Sequence, residues 1–490
     1  MTTAIKGSTV GAMRDVVRIP NYIGGEFVAP ASGRYIDNIC PSTGEWMGEI
    51  PDSDERDVDA AVQAAEKAFP AWSRTPASDR SRLLLKIADL IEQNFEMLAY
   101  FESLDSGKPI SLAKRLDIPR AMANFRFFAT AILHQASEAH MTDAVALNYT
   151  LRRPLGVAGL ISPWNLPLYL LTWKIAPAIA VGNACVAKPS ELTPITAKLL
   201  SKIVADAGLP PGVINIVHGA GPKAGAALAA HPNVPVISFT GGTATGAKVA
   251  AAAAPRFKKI SLELGGKNPN VIFADADLEE AIPTSIQSSF ANQGEICLCG
   301  SRIFVERSIY KQFVEKFGEA TKRLRVGDPL EESTDVGALI TEAHLKKVMG
   351  YIDLARSEGG TIVTGGRRVD RSGYFVEPTV ITGLTCECRV LQEEIFGPVV
   401  TITPFDSEEE AIAFTNSTRY GLSASVWTRD LQRAHRVAAA IDSGTVWINC
   451  WLLRDLRVPF GGMKESGVGR EGGADSLRFF TEEKNVCVKL

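Results

Sequence analysis

LGVAGLISPWNLPLYLLTWKIAPAIAVGNACVAKPS, residues 155–190, holds two short apolar runs separated by a longer helical pattern. The first run ends at a Ser-Pro, the second at a Lys-Pro, and Gly182 punctuates the stretch between them. The grammar repeats downstream. GVINIV (212–217), VPVISF (234–239) and KISLEL (259–264) read as further strands, and helices are predicted to start near Leu171, Thr193, Pro222 and Thr243. Strands alternating with helices imply βαβ crossovers, because a parallel neighbour can be reached only by a long connection across the sheet face. The expected fold class is therefore α/β: an open, twisted parallel sheet with its ligand beyond the carboxyl ends of the strands.

Outward from this stretch the pattern restarts in NVIFADADLEEAIPTSIQSSFANQGEICLCGSRIFVE, residues 270–306. Asp277 and Glu280 are expected to cap a helix that Pro283 kinks. The helix should run out at Asn292-Gln293-Gly294 before the strand SRIFVE, which leaves Cys297 on a loop between two rigid elements. Towards the amino terminus, DVDAAVQAAEKAFPAW (57–72) and RSRLLLKIADLIEQNFEMLAYFESLDSG (80–107) are helical by periodicity, the second ending at Gly107. The tail SLRFFTEEKNVCVKL (476–490) alternates enough to form a strand that needs a partner sheet, which suggests a role between subunits.

The 490 residues suggest roughly three domains. Lys plus Arg at 52 against Asp plus Glu at 55 gives a net charge of −3, so there is no electrostatic reason to expect nucleic acid or an anionic membrane as partner. The eight cysteines are scattered and read as reduced thiols. Neither Cys297/Cys299 nor Cys386/Cys388 has zinc spacing, so no metal site is expected. The first twenty residues lack a secretory pattern, and the most apolar stretch (168–187) is interrupted by Lys174 and Pro177, so a cytoplasmic protein is expected.

Cys297 stands 34 positions (297 minus 263) after Glu263. Together they offer a thiol nucleophile and a carboxylate that can activate water. Neither stretch contains a histidine, so the cysteine–histidine pair of a thiol hydrolase has no local support. A thiol attacking a carbonyl beside a water-activating carboxylate suits oxidation of an aldehyde through a thioester.

SPWNLPL at 162, KPSELTP at 188, FTGGTATG at 239, LELGGKNP at 262, NQGEICLC at 292, EEIFGP at 393 and PFGGMKESGVGREGG at 459 together resemble the NAD(P)-dependent aldehyde dehydrogenase superfamily over nearly the whole chain. The resemblance implies a Rossmann-type parallel-sheet NAD-binding domain (1–134 and 153–262), an α/β catalytic domain (263–463) and an oligomerisation β-extension (135–152 and 464–490). It implies Cys297 as nucleophile, Glu263 as the base for deacylation, and Asn165 as the side-chain donor to the oxyanion. Lys188 and Glu191 match the pair that holds the adenosine ribose, where a carboxylate favours NAD over NADP. Ser162, Trp164, Gly221, Gly225 and Leu264 fall at cofactor positions of the same pattern. So do Thr240, Gly241 and Gly242, although Gly242 replaces a serine present in many relatives and removes a hydroxyl contact to phosphate. Glu394 and Phe396 match the residues around the nicotinamide ribose and ring.

Within the superfamily, FANQGEICLC, DIPRAMANFRFFA at 117 and WLLRDLRVPFGG at 451 look most like the enzymes acting on 2-aminomuconate and 2-hydroxymuconate semialdehydes. Their substrate carries a carboxylate as well as an aldehyde, and arginine pairs carboxylates bidentately. Four arginines are candidates, Arg115, Arg120, Arg454 and Arg457, and the expected grip is Arg115 with Arg457. A homodimer or homotetramer is expected. The alternatives are a betaine aldehyde or general aliphatic aldehyde enzyme, a coenzyme A-acylating relative, a cysteine-dependent esterase and a non-catalytic descendant of the fold. Glu263 argues against the acylating relative, and joint retention of Cys297, Glu263 and Asn165 against the last.

Overall fold

The computed structural model describes residues 17–490. Five parallel strands form the centre of an eight-stranded sheet: Ile214–Ile216, Ala184–Lys188, Val157–Ile161, Val236–Thr240 and Lys259–Glu263, in that spatial order. The chain enters in the middle at Val157–Ile161, steps outward twice on one side, then returns to the other side with Val236–Thr240. That reversal opens a crevice beyond Ile161 and Thr240, the place where sheets of this kind bind ligands. Antiparallel additions close both edges. Asn21–Ile23 pairs with Ile214–Ile216 on one side, and Gly467–Val468 pairs with Leu262 and Glu263 on the other.

Both faces of the central strands are covered, which is why VAGLI and ACVAK are buried throughout. Ala158 and Leu160 point into one core with the helices Pro167–Ala180 and Ile118–Ala131, while Val157 and Ile161 point into the core under Glu55–Trp72. A second sheet of seven strands, parallel except at one edge, is built around Arg302–Glu306 and Pro269–Ile272. Thr481–Lys489 pairs with Ala146–Pro154, and Ala146–Pro154 with Ala139–Thr142, in a separate antiparallel sheet. The tail strand thus finds its partner sheet within the chain. No helix among the described residues is long and apolar enough to cross a membrane.

Several local expectations are corrected. The segment 80–107 is two helices, Ala77–Gln93 and Phe95–Ser106, because Asn94 turns its side-chain amide onto the Leu90 carbonyl (2.8 Å) and leaves helical geometry. Gly107 ends the second with φ 77°. The segment starting near Pro222 opens as a π-helical turn, Gly221–Gly225, before Ala226–Ala230. Asp277 caps Leu278–Phe290 through the Glu279 N–H, and the helix continues through Pro283.

Candidate active site

Cys297 owes its position to the way its helix stops. Asn292, Gln293 and Gly294 take φ values of 52°, 55° and 74°, turning the chain out of Leu278–Phe290 within three residues. Only glycine fits at 294, since a Cβ there would lie 2.2 Å from the Gly397 carbonyl oxygen. The loop is then tied down by its carbonyls: Asn268 Nδ2 donates to Cys297 O (2.7 Å) and Cys299 O (2.9 Å), and Trp451 Nε1 donates to Leu298 O (2.9 Å). Burial pushes the Cys297 thiol well above its ordinary range, helped by Glu394 and Glu263, while Arg454 pulls it down. Cys299, two residues on, is buried and pushed up to about 12, chiefly by that burial.

Asn165 lies in the turn after Val157–Ile161. Its Nδ2 donates to Glu295 O (2.8 Å), on the Cys297 loop. Glu263 is the last residue of its strand, where its backbone carbonyl accepts from Gly241 N–H (3.0 Å). Its carboxylate is buried with no protein donor on either oxygen among the described residues. Burial raises its pKa well above the ordinary carboxylate value, Glu471 adds to the rise, and Lys174, Arg454 and Arg470 oppose it. Lys174 Nζ holds Glu471 Oε1 at 2.9 Å and Ser238 Oγ at 2.8 Å.

Two cavities meet at Cys297, Leu170 and Thr240, which line both. The narrower, of ≈ 30 Å³, also takes in Glu263, Glu471, Tyr169, Trp173, Phe460, Arg120 and Arg454. The larger, of ≈ 220 Å³, is walled by Trp164, Asn165, Gly241, Gly242, Leu264, Glu394 and Phe396, with His344 and Lys347. Gly242 is the N-cap of Thr243–Ala253 and supplies no side-chain cap, so that helix start presents backbone donors alone. Glu394 Oε1 accepts from Gly266 N–H (3.0 Å), and a Cβ on Gly265 would come within 2.1 Å of its other oxygen.

Phe396 has φ 62° and stands edge-on to Trp164, with ring centroids 5.3 Å apart. Lys188 Nζ bonds Glu191 Oε2 (3.0 Å), and Glu191 Oε1 accepts from Gly221 N–H (3.3 Å), at the start of the turn that also carries Gly225. Burial of Glu191 would raise it, but Lys188 and the backbone donors hold it below its usual value. Ser162 is buried and its backbone N–H donates to Lys188 O (3.2 Å).

The expected arginine pair is not brought together. Arg457 is folded onto Asp455, with Nε at 3.0 Å and 3.1 Å from its two oxygens and Nη2 at 2.6 Å, and its side chain is 79% exposed. It lines a cleft with Arg152, Arg478 and Glu483 that does not include Cys297. Arg115, on the π-helical turn Ala113–Asp117, lines a separate cleft with Gln287 and Asp335. The arginines that reach the Cys297 cavity are Arg120 and Arg454. Arg454 donates to Tyr169 Oη (2.9 Å) and lies over the Phe460 ring at 3.9 Å, while Arg120 lies over Tyr169 at 5.7 Å. Neither makes an ion pair among the described residues, whereas Arg457 does. Asp455, two positions before Arg457, was the sequence signal for this difference.

A histidine also reaches the site, which its distance along the chain concealed. His344 donates from Nε2 to Phe396 O (2.6 Å), and burial lowers its pKa to about 4. That bond commits the ring to the Phe396 wall of the larger cavity.

Residues 27–486 match the aldehyde dehydrogenase family, and the chain belongs to that family. It is 57% identical over 480 residues to the 2-aminomuconic semialdehyde dehydrogenase of Danio rerio, covering 96% of this chain and 98% of that protein. It is 47% identical to the 2-hydroxymuconic semialdehyde dehydrogenase of Pseudomonas sp. strain CF600, covering 96% and 99%. The NAD⁺ complex of an aldehyde dehydrogenase from Bacillus cereus superposes with a TM-score of 0.97 at 40% identity, covering 99% of this chain and 98% of that one.

Proposed function

We propose that the protein oxidises a muconate semialdehyde, 2-aminomuconate or 2-hydroxymuconate 6-semialdehyde, to the dicarboxylate with NAD. The observation that carries the substrate class is the pair Arg120 and Arg454, neither in an ion pair among the described residues, in a largely aromatic cavity that ends at Cys297. Both guanidinium groups are half-buried at the cavity wall, where a substrate carboxylate could accept from them bidentately. The greater identity to the aminomuconic enzyme favours the amino compound.

NAD, when bound in the larger cavity, supplies the hydride acceptor. The residues fit it: Glu394, Phe396 and the bare helix start at Gly242, for the pyrophosphate, line that cavity, and Glu191 with Lys188, outside its lining, would hold the ribose hydroxyls. Cys297 Sγ forms the bond to the aldehyde carbon, the Asn165 amide donates to the oxygen that becomes negative, and Glu263 takes a proton from the water that hydrolyses the thioester. Glu471, held by Lys174 and Ser238, lines the same cavity as Glu263. His344, bound to Phe396 O, gives no support to a cysteine hydrolase.

Initial rates with NAD on the two muconate semialdehydes, betaine aldehyde and an alkyl aldehyde test the reading. The muconate compounds should lead by about a hundredfold in kcat/KM, the worth of a paired buried carboxylate; equal rates on the alkyl aldehyde would overturn it. NAD should be preferred over NADP by on the order of tenfold or more, because Glu191 repels a ribose phosphate. Equal specificity constants would remove Glu191 from the role.

We also propose the three-part division at 134/153, 263 and 464, a cytoplasmic setting suited to eight free thiols, and a homodimer or homotetramer. The exposed edge strand Ala139–Thr142 and the exposed Met141, Val145, Leu151 and Val488 support assembly through the three-stranded sheet. A monomeric mass by light scattering would exclude the assembly.

A further inference from the structure

Between Phe95 and Asp117 the chain sends Glu102, Lys108 and Asp117 into the interior, each with no solvent exposure. None of them lines either cavity. Lys108 Nζ donates to Asp117 Oδ1 (2.9 Å) and to Asn165 O (2.8 Å). Glu102 accepts from Leu168 N–H (3.0 Å) and from Thr196 Oγ1 (2.6 Å). Leu168 is the second residue of the helix Pro167–Ala180, whose own N-cap residue, Leu166, offers no side-chain acceptor, so Glu102 serves as the cap from another segment. The turn carrying Asn165 is therefore held at both ends by buried charges.

Stability alone is a weak reason for such charges, since a buried ion pair is commonly matched or bettered by apolar residues of the same volume. What they do supply is geometric. The Asn165 carbonyl is fixed by two donors, Lys108 Nζ and Asn292 Nδ2 (3.1 Å), and one N–H of its side-chain amide is spent on Glu295 O. With backbone and amide both pinned, the remaining amide N–H has one direction left to it. Asp117 also ends the π-helical turn that carries Leu116, and it directly precedes the helix that carries Arg120, both of which line the narrower cavity. The ion pair thus connects the substrate wall to the Asn165 turn.

We propose that Lys108, anchored by Asp117 and assisted by Glu102, is a positioning residue that sets the Asn165 amide for the oxyanion. This rests on the proposed role of Asn165. The test compares the wild-type enzyme with Lys108→Met/Asp117→Leu, which removes both charges together, with Asn165→Ala, and with the triple variant. Three quantities are read on each: the single-turnover burst of NADH, the rate of Cys297 alkylation by iodoacetamide, and KM for the aldehyde.

The double variant should lose on the order of tenfold to a hundredfold in the burst, the range expected when an oxyanion donor is displaced by about an ångström. Alkylation makes no oxyanion, so its rate should hold, as should KM. In the Asn165→Ala background the same two substitutions should cost little more, since the donor they position is already gone. Should the double variant not fold, Asp117→Asn, which keeps shape and leaves Lys108 its bond to Asn165, carries the test with a smaller burst loss and unchanged alkylation. A burst loss that persists in full on Asn165→Ala, or that alkylation follows in parallel, would overturn the clamp. A normal burst in Asn165→Ala itself would sink the role of Asn165 and the clamp with it, whereas a damaged Asn165→Ala beside an undamaged charge variant would sink the clamp alone.

Discussion

Cys297→Ala is expected to form no NADH from any aldehyde, a loss of at least about 10⁴-fold, because among the described residues no other thiol lines the junction of the two cavities. Cys299 cannot stand in for it, being buried and pushed up to about 12. Glu263→Gln is expected to behave differently. It keeps the shape of the strand end but cannot take a proton from water, so the thioester should form and accumulate while steady-state turnover falls by about 10² to 10⁴. Mass spectrometry of this variant after mixing with aldehyde and NAD should show the acyl adduct on Cys297. An unmodified protein with ordinary turnover would remove Glu263 from the mechanism.

The same residue sets a pH dependence. Burial first, and Glu471 second, raise the Glu263 pKa, so the ionised base becomes more abundant as pH rises. Deacylation in the wild-type enzyme should therefore accelerate with pH through a midpoint well above the ordinary carboxylate range. In Glu263→Gln that rise should be missing.

How far the sequence discloses this molecule depends on whether the deciding contact is local. The five central strands were readable because each is a short, mostly buried run rich in β-branched residues and close to a Gly or Pro, and the helices between them follow from parallel geometry. The loop position of Cys297 was readable for a similar reason, since Asn292-Gln293-Gly294 interrupts a helical pattern on the spot. The break at Asn94 was hidden, because asparagine within a long amphipathic pattern is tolerated until its side chain captures the preceding carbonyl. The antiparallel edges were hidden as well: Asn21–Ile23 and Gly467–Val468 are three and two residues long and find their partners across hundreds of positions. Lys108 offered no signal at all, since only the fold shows that its ammonium ends at Asn165. The arginines are the instructive case. Residue type pointed to a carboxylate grip, but which arginines remain unneutralised is settled by their neighbours, and Asp455 claims Arg457.

Arg454→Met should accordingly lower kcat/KM for a muconate semialdehyde by roughly tenfold to a hundredfold, the worth of a hydrogen bond between charged groups. Methionine keeps an unbranched apolar side chain but removes the guanidinium that lies over the Phe460 ring and donates to Tyr169 Oη, so the loss on an uncharged aldehyde is the reference for those contacts. Arg120→Met should act in the same direction, and the pair should not be additive if both hold one carboxylate. The effect should be selective, because an alkyl aldehyde of similar length never makes the contact. One further effect works against the variant on every substrate: Arg454 lowers the Cys297 and Glu263 pKa values, so its removal moves both upward and leaves less thiolate and less base at neutral pH. The carboxylate contribution is therefore the ratio of the two losses, muconate semialdehyde over alkyl aldehyde, measured by steady-state kinetics at a pH where wild type and variant are both on their plateau. Arg457→Met and Arg115→Met, whose side chains line other clefts, should leave that ratio near one. Equal losses on charged and uncharged aldehydes in the Arg454 and Arg120 variants would make those arginines structural and reduce the substrate to an unspecified aldehyde; a selective loss in the Arg457 variant would return the grip to the residue that Asp455 holds.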